Sequence, residues 1–177
     1  MRETSSGVAE RDETVSADAG SAFEAFFERE HARLLRALYL VTGNVQEAEE
    51  VMQDAFVAVW ERWERVSAMD ESTGYLYRTA MNRWRSRVRR AARAARRVVG
   101  SAEAGDAFAA ADERDALARA LARLPKRQRA AVVVTELLGY GASDAGRILG
   151  VTAATVRSLA SQGRAALRSS LEDPDER

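Results

Sequence analysis

Arginine side chains dominate one stretch of the sequence and suit it to binding an anion. Nine arginines and no acidic residue lie between Arg78 and Arg97, in a chain whose formal net charge is zero. Like charges three or four residues apart on a helix repel each other by a few tenths of a kcal/mol per pair. An anionic partner would offset this repulsion, and the alternative is a basic arm with no specific partner.

Aromatic residues at the start of this stretch add a second kind of chemistry. Tyr75, Tyr77 and Trp84 lie among or beside the arginines, and such rings can stack unpaired bases at about 1–3 kcal/mol per base. Trp84 also shares the apolar stripe of the predicted helix with Leu76 and Ala80. We therefore expect Trp84 to pack in the core rather than against a base.

A second candidate for nucleic-acid contact lies near the carboxyl terminus, in the segment ILGVTAATVRS. A short helix over 143–149, a turn at Gly150 to Thr152 and a longer helix over about 153–171 have the layout of a DNA-binding helix-turn-helix. An ordinary helical hairpin with a solvated face is the alternative, but the second helix contains no acid. Its outward residues are short, polar or basic, and suit base edges and phosphates in a major groove. They are Thr155, Arg157, Ser158, Ser161, Gln162 and Arg164.

Basic residues directly upstream of the helix-turn-helix are candidates for contacts with the DNA backbone. Arg127 and Arg129 belong to this group, with Arg123 and Lys126 beside them. An adjoining helix that carries such cations can bind phosphates without reading the sequence.

Large apolar residues on the second predicted helix form a candidate protein-docking surface. The stripe of Phe56, Trp60 and Trp63 is partly distinct from the one that faces the bundle, and Gln53 and Asp54 border it. Core packing accounts for some of this stripe. An exposed edge would suit a partner with basic helices.

Several other classes of function are excluded by composition and motif. The chain has no cysteine, which rules out disulfides, thiolate nucleophiles and cysteine zinc sites. No nucleophile motif, phosphate-binding glycine loop or metal-ligand spacing occurs, and we expect the only histidine, His31, to be an ordinary surface or packing residue. We predict no catalytic residue, no metal and no cofactor, and hence no enzyme.

The amino-terminal residues MRETSSGVAERDETVSADAG lack the apolar core of a signal peptide. The longest purely apolar runs in the chain span about five residues, far short of a membrane helix. We therefore expect a cytoplasmic protein with no membrane insertion.

The elements that must position these residues are helices in two groups. A capping box at Ser21 starts a first helix, Gly43 ends it, and a second helix runs to about Trp63. The arginine helix follows a polar loop over 67–74, and three such helices close a small bundle. Pro125 separates two further helices ahead of the helix-turn-helix.

The predicted fold class is therefore all-α, with a three-helix-type N-terminal bundle and a C-terminal four-helix helix-turn-helix domain joined by a flexible linker. The predicted segments are an acidic disordered tail over 1–20, the first helical domain over 21–98, an acidic linker over 99–111, the helix-turn-helix domain over 112–171 and a tail over 172–177.

Three stretches together resemble the extracytoplasmic-function sigma factors of bacterial RNA polymerase, and most of all the actinobacterial sigma-E-like branch. They are EAEEVMQDAFVAVWERW, GYLYRTAMNRWRSRVRR and LPKRQRAAVVVTELLGYGASDAGRILGVTAATVRSLASQGRAALR. The resemblance spans roughly 21–171, in the family's order and spacing. It implies a protein that binds core polymerase, recognises the −10 and −35 promoter elements and promotes promoter opening.

The resemblance also implies a partner for each candidate surface. The second helix would dock on the clamp helices of the largest polymerase subunit through Gln53, Asp54, Phe56 and Trp60. The arginine helix would hold the single-stranded non-template strand of the −10 element through Tyr75, Tyr77, Arg78, Asn82, Arg83 and Arg85. The C-terminal domain would read the −35 duplex with its outward residues and meet the polymerase flap with its buried face.

Two other functions fit parts of the pattern. A free-standing helix-turn-helix regulator would bind duplex DNA alone and use the first bundle for dimerisation. A helical protein-interaction or RNA-binding module would use only the arginine-rich arm. Two basic units joined by an acidic linker favour the sigma factor, for which an anti-sigma partner is usual, although no motif in the chain identifies that partner or the promoters.

Overall fold

The structure, a computed structural model, describes the backbone of residues 6–97 and 116–172. These two ranges contain helices and turns and no β-strand, which confirms the predicted all-α class. The helices are α1 Ser6–Thr42, α2 Val45–Trp60, α3 Trp63–Ser67, α4 Ser72–Arg97, α5 Ala116–Ala122, α6 Lys126–Val132 with a π-helical continuation Val133–Leu137, α7 Ala142–Leu149 and α8 Ala153–Glu172.

Helices α1, α2 and α4 form the N-terminal bundle, with the short α3 at one end. The turn between α1 and α2 needs Gly43, whose φ is +77°. Asn44 then caps α2, because its side-chain oxygen accepts the N–H of Glu47 at 2.9 Å. This reversal lays α2 against α1, as the sequence predicts.

The arginine helix α4 enters the bundle through its apolar stripe. Leu76, Ala80 and Trp84 are all buried, so Trp84 packs in the core as predicted. The opposite face keeps Arg78 and Arg83 exposed. The helix is therefore anchored on one side and cationic on the other.

Helices α5 to α8 form the C-terminal domain, and Pro125 separates α5 from α6 as expected. In the helix-turn-helix, α7 ends at Gly150, whose φ of +62° lies in the left-handed region. The hydroxyl of Thr152 accepts the N–H of Thr155 at 3.2 Å and so caps α8. The predicted turn is confirmed, and the predicted bounds of the two helices agree with the structure to within one residue at each end.

Close packing inside this motif makes Gly146 sensitive to substitution. A Cβ atom at Gly146 would lie 2.8 Å from the backbone oxygen of Val151. We expect Gly146→Val to destabilise the protein by about 2–3 kcal/mol through overpacking, which corresponds to a melting temperature lower by roughly 5–10 °C. Thermal unfolding followed by circular dichroism would measure the change.

Gly141→Thr is the matched control, because threonine has the branched shape of valine and suits the N-cap position of α7 that Gly141 occupies. No atom lies within 4 Å of a Cβ built at Gly141, and its φ of −60° is open to any residue. Its melting temperature should stay close to that of the wild type. Equal losses in the two variants would contradict the packing role of Gly146.

Helix α1 starts earlier than the sequence indicates. It begins at Ser6, so most of the segment predicted as a disordered tail over 1–20 is helical in the structure. A capping box at Ser21 permits a helix to start there, but it does not break one that arrives from upstream. The predicted linker over 99–111 and residues 173–177 lie outside the described residues.

The two domains pack against each other, which the sequence does not predict. Buried side chains of both domains form a single apolar core. Arg33 of α1 donates to the carbonyl of Leu138 at 3.2 Å, and the rings of Tyr77 and Tyr140 lie 6.1 Å apart between their centroids. We call this packing the closed arrangement.

Candidate functional site

The outward face of α8 carries the predicted −35 residues on one exposed surface. Its exposed side chains are Thr155, Arg157, Ser158, Ser161 and Gln162. The opposite side packs inward through Val156 and Ala160, both buried. The structure therefore brings these five residues together on a face that projects from the domain.

Four of the predicted residues on this helix have side-chain partners, and the first is Thr155, whose hydroxyl lies 2.8 Å from that of Thr152. The guanidinium of Arg164 lies 2.6 Å from a carboxylate oxygen of Glu136. Gln162 donates to the hydroxyl of Ser158 at 3.2 Å and accepts from the amide of Gln128 at 3.1 Å. Exposed contacts of this kind are weak, so DNA can replace them.

The two basic residues predicted to hold the DNA backbone differ in their surroundings. Arg127 is exposed, whereas Arg129 is only 3% exposed. Its Nε donates to the carbonyl of Val41 at 3.0 Å, at the carboxyl end of α1. A cation suits that position because the carbonyls there lack helical partners. The predicted DNA contact of Arg129 does not fit the closed arrangement.

The predicted −10 residues on α4 fall into an exposed group and a covered group. Arg78, Asn82 and Arg83 are exposed on one face, and Tyr75 is half-buried. This face therefore presents two cations, an amide and part of a tyrosine ring to solvent.

Tyr77 and Arg85 form the covered group, which the C-terminal domain overlies. Tyr77 is fully buried, and burial raises the pKa of its hydroxyl. Arg85 donates to the carbonyl of Leu149 in the C-terminal domain and to the side chain of Asn82. The Tyr77 hydroxyl and the Arg85 Nε are buried without a hydrogen-bond partner among the described residues, which leaves both available to a ligand once they are uncovered.

An apolar groove of about 410 Å³ opens between α1 and α2 and contains the predicted docking residues. Trp60 is 48% exposed on its wall, while Phe56 forms its floor and is only 5% exposed. Gln53 lies at the rim. The groove therefore exposes one edge of the stripe, as the sequence suggests.

Asp54 borders this groove but is already paired. The Nη2 atom of Arg87 lies 2.8 Å from a carboxylate oxygen of Asp54, and the same guanidinium contacts Glu50. The hydrogen bonds to Asp54 and Glu50 raise the pKa of Arg87. A partner must therefore compete with Arg87 for this carboxylate.

Sequence reasoning missed three residues of the groove. Phe23 and Phe27 of α1 form part of its wall with Val57 of α2. Phe23 packs against Trp60 with 4.8 Å between ring centroids, and Val57 is 58% exposed. The spacing of both phenylalanines is typical of a buried helical stripe, and periodicity does not tell which edge of such a stripe stays uncovered.

His31 behaves as a packing residue, in line with the expectation from sequence. Its ring stacks on Phe27 with 5.0 Å between centroids, and its Nδ1 lies 3.1 Å from the carbonyl oxygen of Phe27.

Within residues 6–97 and 116–172, no helix combines the length and apolar character that a bilayer span requires.

Comparison with known proteins matches both halves of the chain. Residues 26–94 match the family model for Sigma-70 region 2, and residues 114–167 match the model for Sigma-70, region 4. The ECF RNA polymerase sigma factor SigM of Mycobacterium tuberculosis is 33% identical over 152 residues, which cover 82% of this chain and 75% of SigM. This chain belongs to the extracytoplasmic-function sigma factors.

Further relatives agree with this membership. The sigma factor SigE of Mycolicibacterium smegmatis is 32% identical over 152 residues, covering 79% of this chain and 58% of SigE. Sigma factor RpoE of Bartonella quintana, solved with the anti-sigma factor NepR, shares the fold with a TM-score of 0.70 at 19% identity, over 88% of this chain and 99% of that one. CnrH, solved with the cytosolic domain of CnrY, has a TM-score of 0.59 at 26% identity, over 92% and 97%.

The two family models divide the candidate surfaces of this sigma factor between them. The region 2 match contains α2 and the arginine helix down to residue 94. The region 4 match contains α6 and most of α8. Most of the groove and the predicted −10 residues thus lie within the region 2 match, and the predicted −35 residues lie within the region 4 match.

Proposed function

We propose that this sigma factor uses its three surfaces in one act of promoter recognition. The apolar groove around Trp60 docks on the clamp helices of the largest polymerase subunit, and Asp54 joins it after release from Arg87. The inward face of the C-terminal domain meets the flap. The outward face of α8, with Arg127, reads the −35 duplex.

The arginine helix has the remaining role, at the −10 element. Arg78, Asn82 and Arg83 hold the phosphates of the non-template strand, with Tyr75 beside them. Tyr77 and Arg85 join them once the C-terminal domain moves away. Capture of an extruded base and its phosphates offsets an unstacking cost of a few kcal/mol.

The observation that carries the proposal is the outward face of α8. Its exposed side chains include five polar or basic residues over 155–162, no carboxylate occurs over 153–170, and it follows a glycine turn with the geometry of a helix-turn-helix. A helix face that only contacts solvent can carry acidic as well as basic side chains, so the lack of acids on this face favours an anionic partner. The family membership gives this face its place in a polymerase complex.

In vitro transcription with purified core polymerase on genomic fragments tests the proposal. We expect run-off RNA from defined start sites only when both the protein and core polymerase are present. Tight duplex binding without polymerase, and no initiation with it, would instead identify a free-standing regulator.

We infer that an anti-sigma factor also binds this protein, and that both act in the cytoplasm. Two solved structures with the same fold were determined with partners, NepR described as an anti-sigma factor and the cytosolic domain of CnrY. Co-purification of a tagged copy from its host would identify the partner.

Binding both promoter elements at once requires the two domains to separate. The elements lie about 25 base pairs apart, which is about 85 Å of duplex at roughly 3.4 Å per base pair. The longest helix of the closed arrangement, α1, is about 55 Å long at 1.5 Å per residue. The 18 residues between Arg97 and Ala116 can bridge up to about 60 Å when fully extended. The closed arrangement is therefore too short to span the two promoter elements. When the domains separate, the extended connection between them lets the chain reach both.

Arg33→Ala tests this opening, because Arg33 belongs to none of the predicted binding surfaces. Its side chain donates to the carbonyl of Leu138 across the domain interface. Loss of an exposed hydrogen bond from a charged donor costs about 1 kcal/mol. The variant should destabilise the closed arrangement by this amount, so the fraction of open molecules should rise about fivefold. The chain has no cysteine, so dyes on Glu64→Cys and Ser169→Cys report the distance between domains by energy transfer.

Arg36→Ala is the control, because it removes the same charge from an exposed position one turn along α1. Its transfer efficiency should equal that of the labelled parent. Identical efficiencies in both variants would show that the Arg33 contact does not stabilise the closed arrangement.

A further inference from the structure

A cleft of about 430 Å³ lies between the arginine helix α4 and the C-terminal domain. One wall comes from Arg85, Val88 and Arg89 of α4, and the other includes Lys126 and Arg127 of α6. Because its walls belong to different domains, the cleft exists only in the closed arrangement.

Charge is one-sided in this cleft. The charged residues that line it are Arg85, Arg89, Lys126 and Arg127, and within residues 6–97 and 116–172 no carboxylate lines it. The rest of the lining is largely apolar and includes Leu159. Arg89, Lys126 and Arg127 are exposed, so a ligand that enters the cleft can reach their charges.

Arg85 shows this imbalance most directly. Its Nε is buried and has no hydrogen-bond partner among the described residues. Burial lowers the pKa of its guanidinium, and repulsion from Arg89 and Arg78 lowers it further. An anion in the cleft would offset this repulsion between cations without needing to reach the buried Nε.

We propose that this cleft binds a phosphorylated small molecule of about nucleotide size, and that the bound ligand holds the two domains closed. Phosphate oxygens suit the four cations, since arginine presents paired N–H donors to them and lysine adds a point charge. The apolar part of the ligand rests against Val88 and Leu159. The volume falls within the usual range of small-molecule sites, about 300–1,000 Å³.

Promoter DNA does not account for the cleft. Arg85 and Arg127 are among the residues proposed to bind DNA, but each does so in the open chain, in which the cleft no longer exists. A duplex is also too wide for a space of this volume. The closed arrangement therefore brings together, for a small anion, cations that the open chain presents separately.

The ligand affects transcription through the closed arrangement, and this consequence rests on the proposed function. A molecule that contacts both domains binds the closed form alone and shifts the equilibrium towards it. A saturating ligand should therefore raise energy transfer between the labelled domains and lower initiation at limiting polymerase.

Isothermal titration calorimetry on the full-length protein tests binding without polymerase, so its outcome is independent of the proposed function. The probes are ADP, GDP, inorganic pyrophosphate and adenosine. We expect ADP or GDP to bind at least about tenfold more tightly than pyrophosphate, because the apolar wall adds affinity, and adenosine not to bind. Equal affinities for pyrophosphate and the nucleotides would overturn the nucleotide-size assignment.

Two double variants locate the site. Arg89→Ala with Lys126→Ala removes one cation from each wall, so the nucleotide affinity, measured without DNA or polymerase, should fall at least about tenfold. Arg90→Ala with Arg123→Ala removes the same charge from the same two domains at exposed positions outside the lining, and should bind normally. Equal affinities in the two double variants would show diffuse attraction to a basic surface and would overturn the site.

A third variant tests the role of charge, because it should stabilise the closed arrangement in the absence of ligand. Arg89→Glu supplies the missing carboxylate one turn from Arg85, where i,i+4 pairs interact. It should abolish nucleotide binding and raise energy transfer without ligand. Unchanged transfer together with unchanged nucleotide affinity would contradict the proposal.

Discussion

Replacing Trp60 with alanine is expected to weaken binding to core RNA polymerase by about 30-fold or more, because a buried interface tryptophan contributes about 2 kcal/mol or more. The side chain is 48% exposed on the wall of the apolar groove, and it is held in place by the ring of Phe23. It is therefore both available to a partner and already ordered. Fluorescence anisotropy of the labelled sigma factor titrated with core polymerase measures the change.

Two further variants make this result specific to the groove. Val57→Lys places a cation beside Trp60 and should weaken binding by a similar factor, because a buried charge that faces a basic partner has no counter-ion. Val45→Ala changes a residue that is 55% exposed on the same helix but is not part of the groove, and it should bind core normally. Normal core binding by Trp60→Ala would remove the groove from the docking surface.

The double variant Arg157→Ala with Arg164→Ala should lower transcription from a −35-dependent promoter by about 100-fold, since a good arginine contact to a base is worth about 1–3 kcal/mol. Arg157 is exposed at the start of the outward face of α8. Arg164 must leave Glu136 to reach DNA, and an exposed ion pair of this kind offers little resistance. Run-off transcription at fixed core concentration measures the effect.

Arg36→Ala, which removes an exposed arginine of α1 outside the proposed binding surfaces, is the control for the double variant and should transcribe normally. Affinity for core polymerase should stay within about twofold for both variants, because neither changes the docking groove or the inward face of the C-terminal domain. Loss of core binding in the double variant would contradict the assignment of α8 to DNA.

Local signals in the sequence were enough to predict the helix-turn-helix. Gly150 takes a φ that glycine favours, and Thr152 caps the next helix through its hydroxyl. Each of these features depends only on residues within a few positions along the chain, so the pattern determines them. The outward face of α8 follows from the same helix period.

Long-range packing could not be read from the same signals. Arg129 resembles its basic neighbours in sequence, yet it contacts the carbonyl of Val41, 88 positions away. Tyr77 is covered by Tyr140 of the other domain, and no periodicity within α4 indicates this. The groove is a similar case, since Phe23 is assigned to the core by its spacing and the structure places it beside an open surface.

The turn at Gly150 serves two purposes at once. It sets the angle at which α8 leaves α7, and in the closed arrangement the guanidinium of Arg85 occupies the space a Cβ atom would need at this glycine. The neighbouring carbonyl of Leu149 accepts from the same side chain. We therefore expect a Cβ atom at residue 150 to disturb the angle between α7 and α8 and the contact between the two domains at the same time.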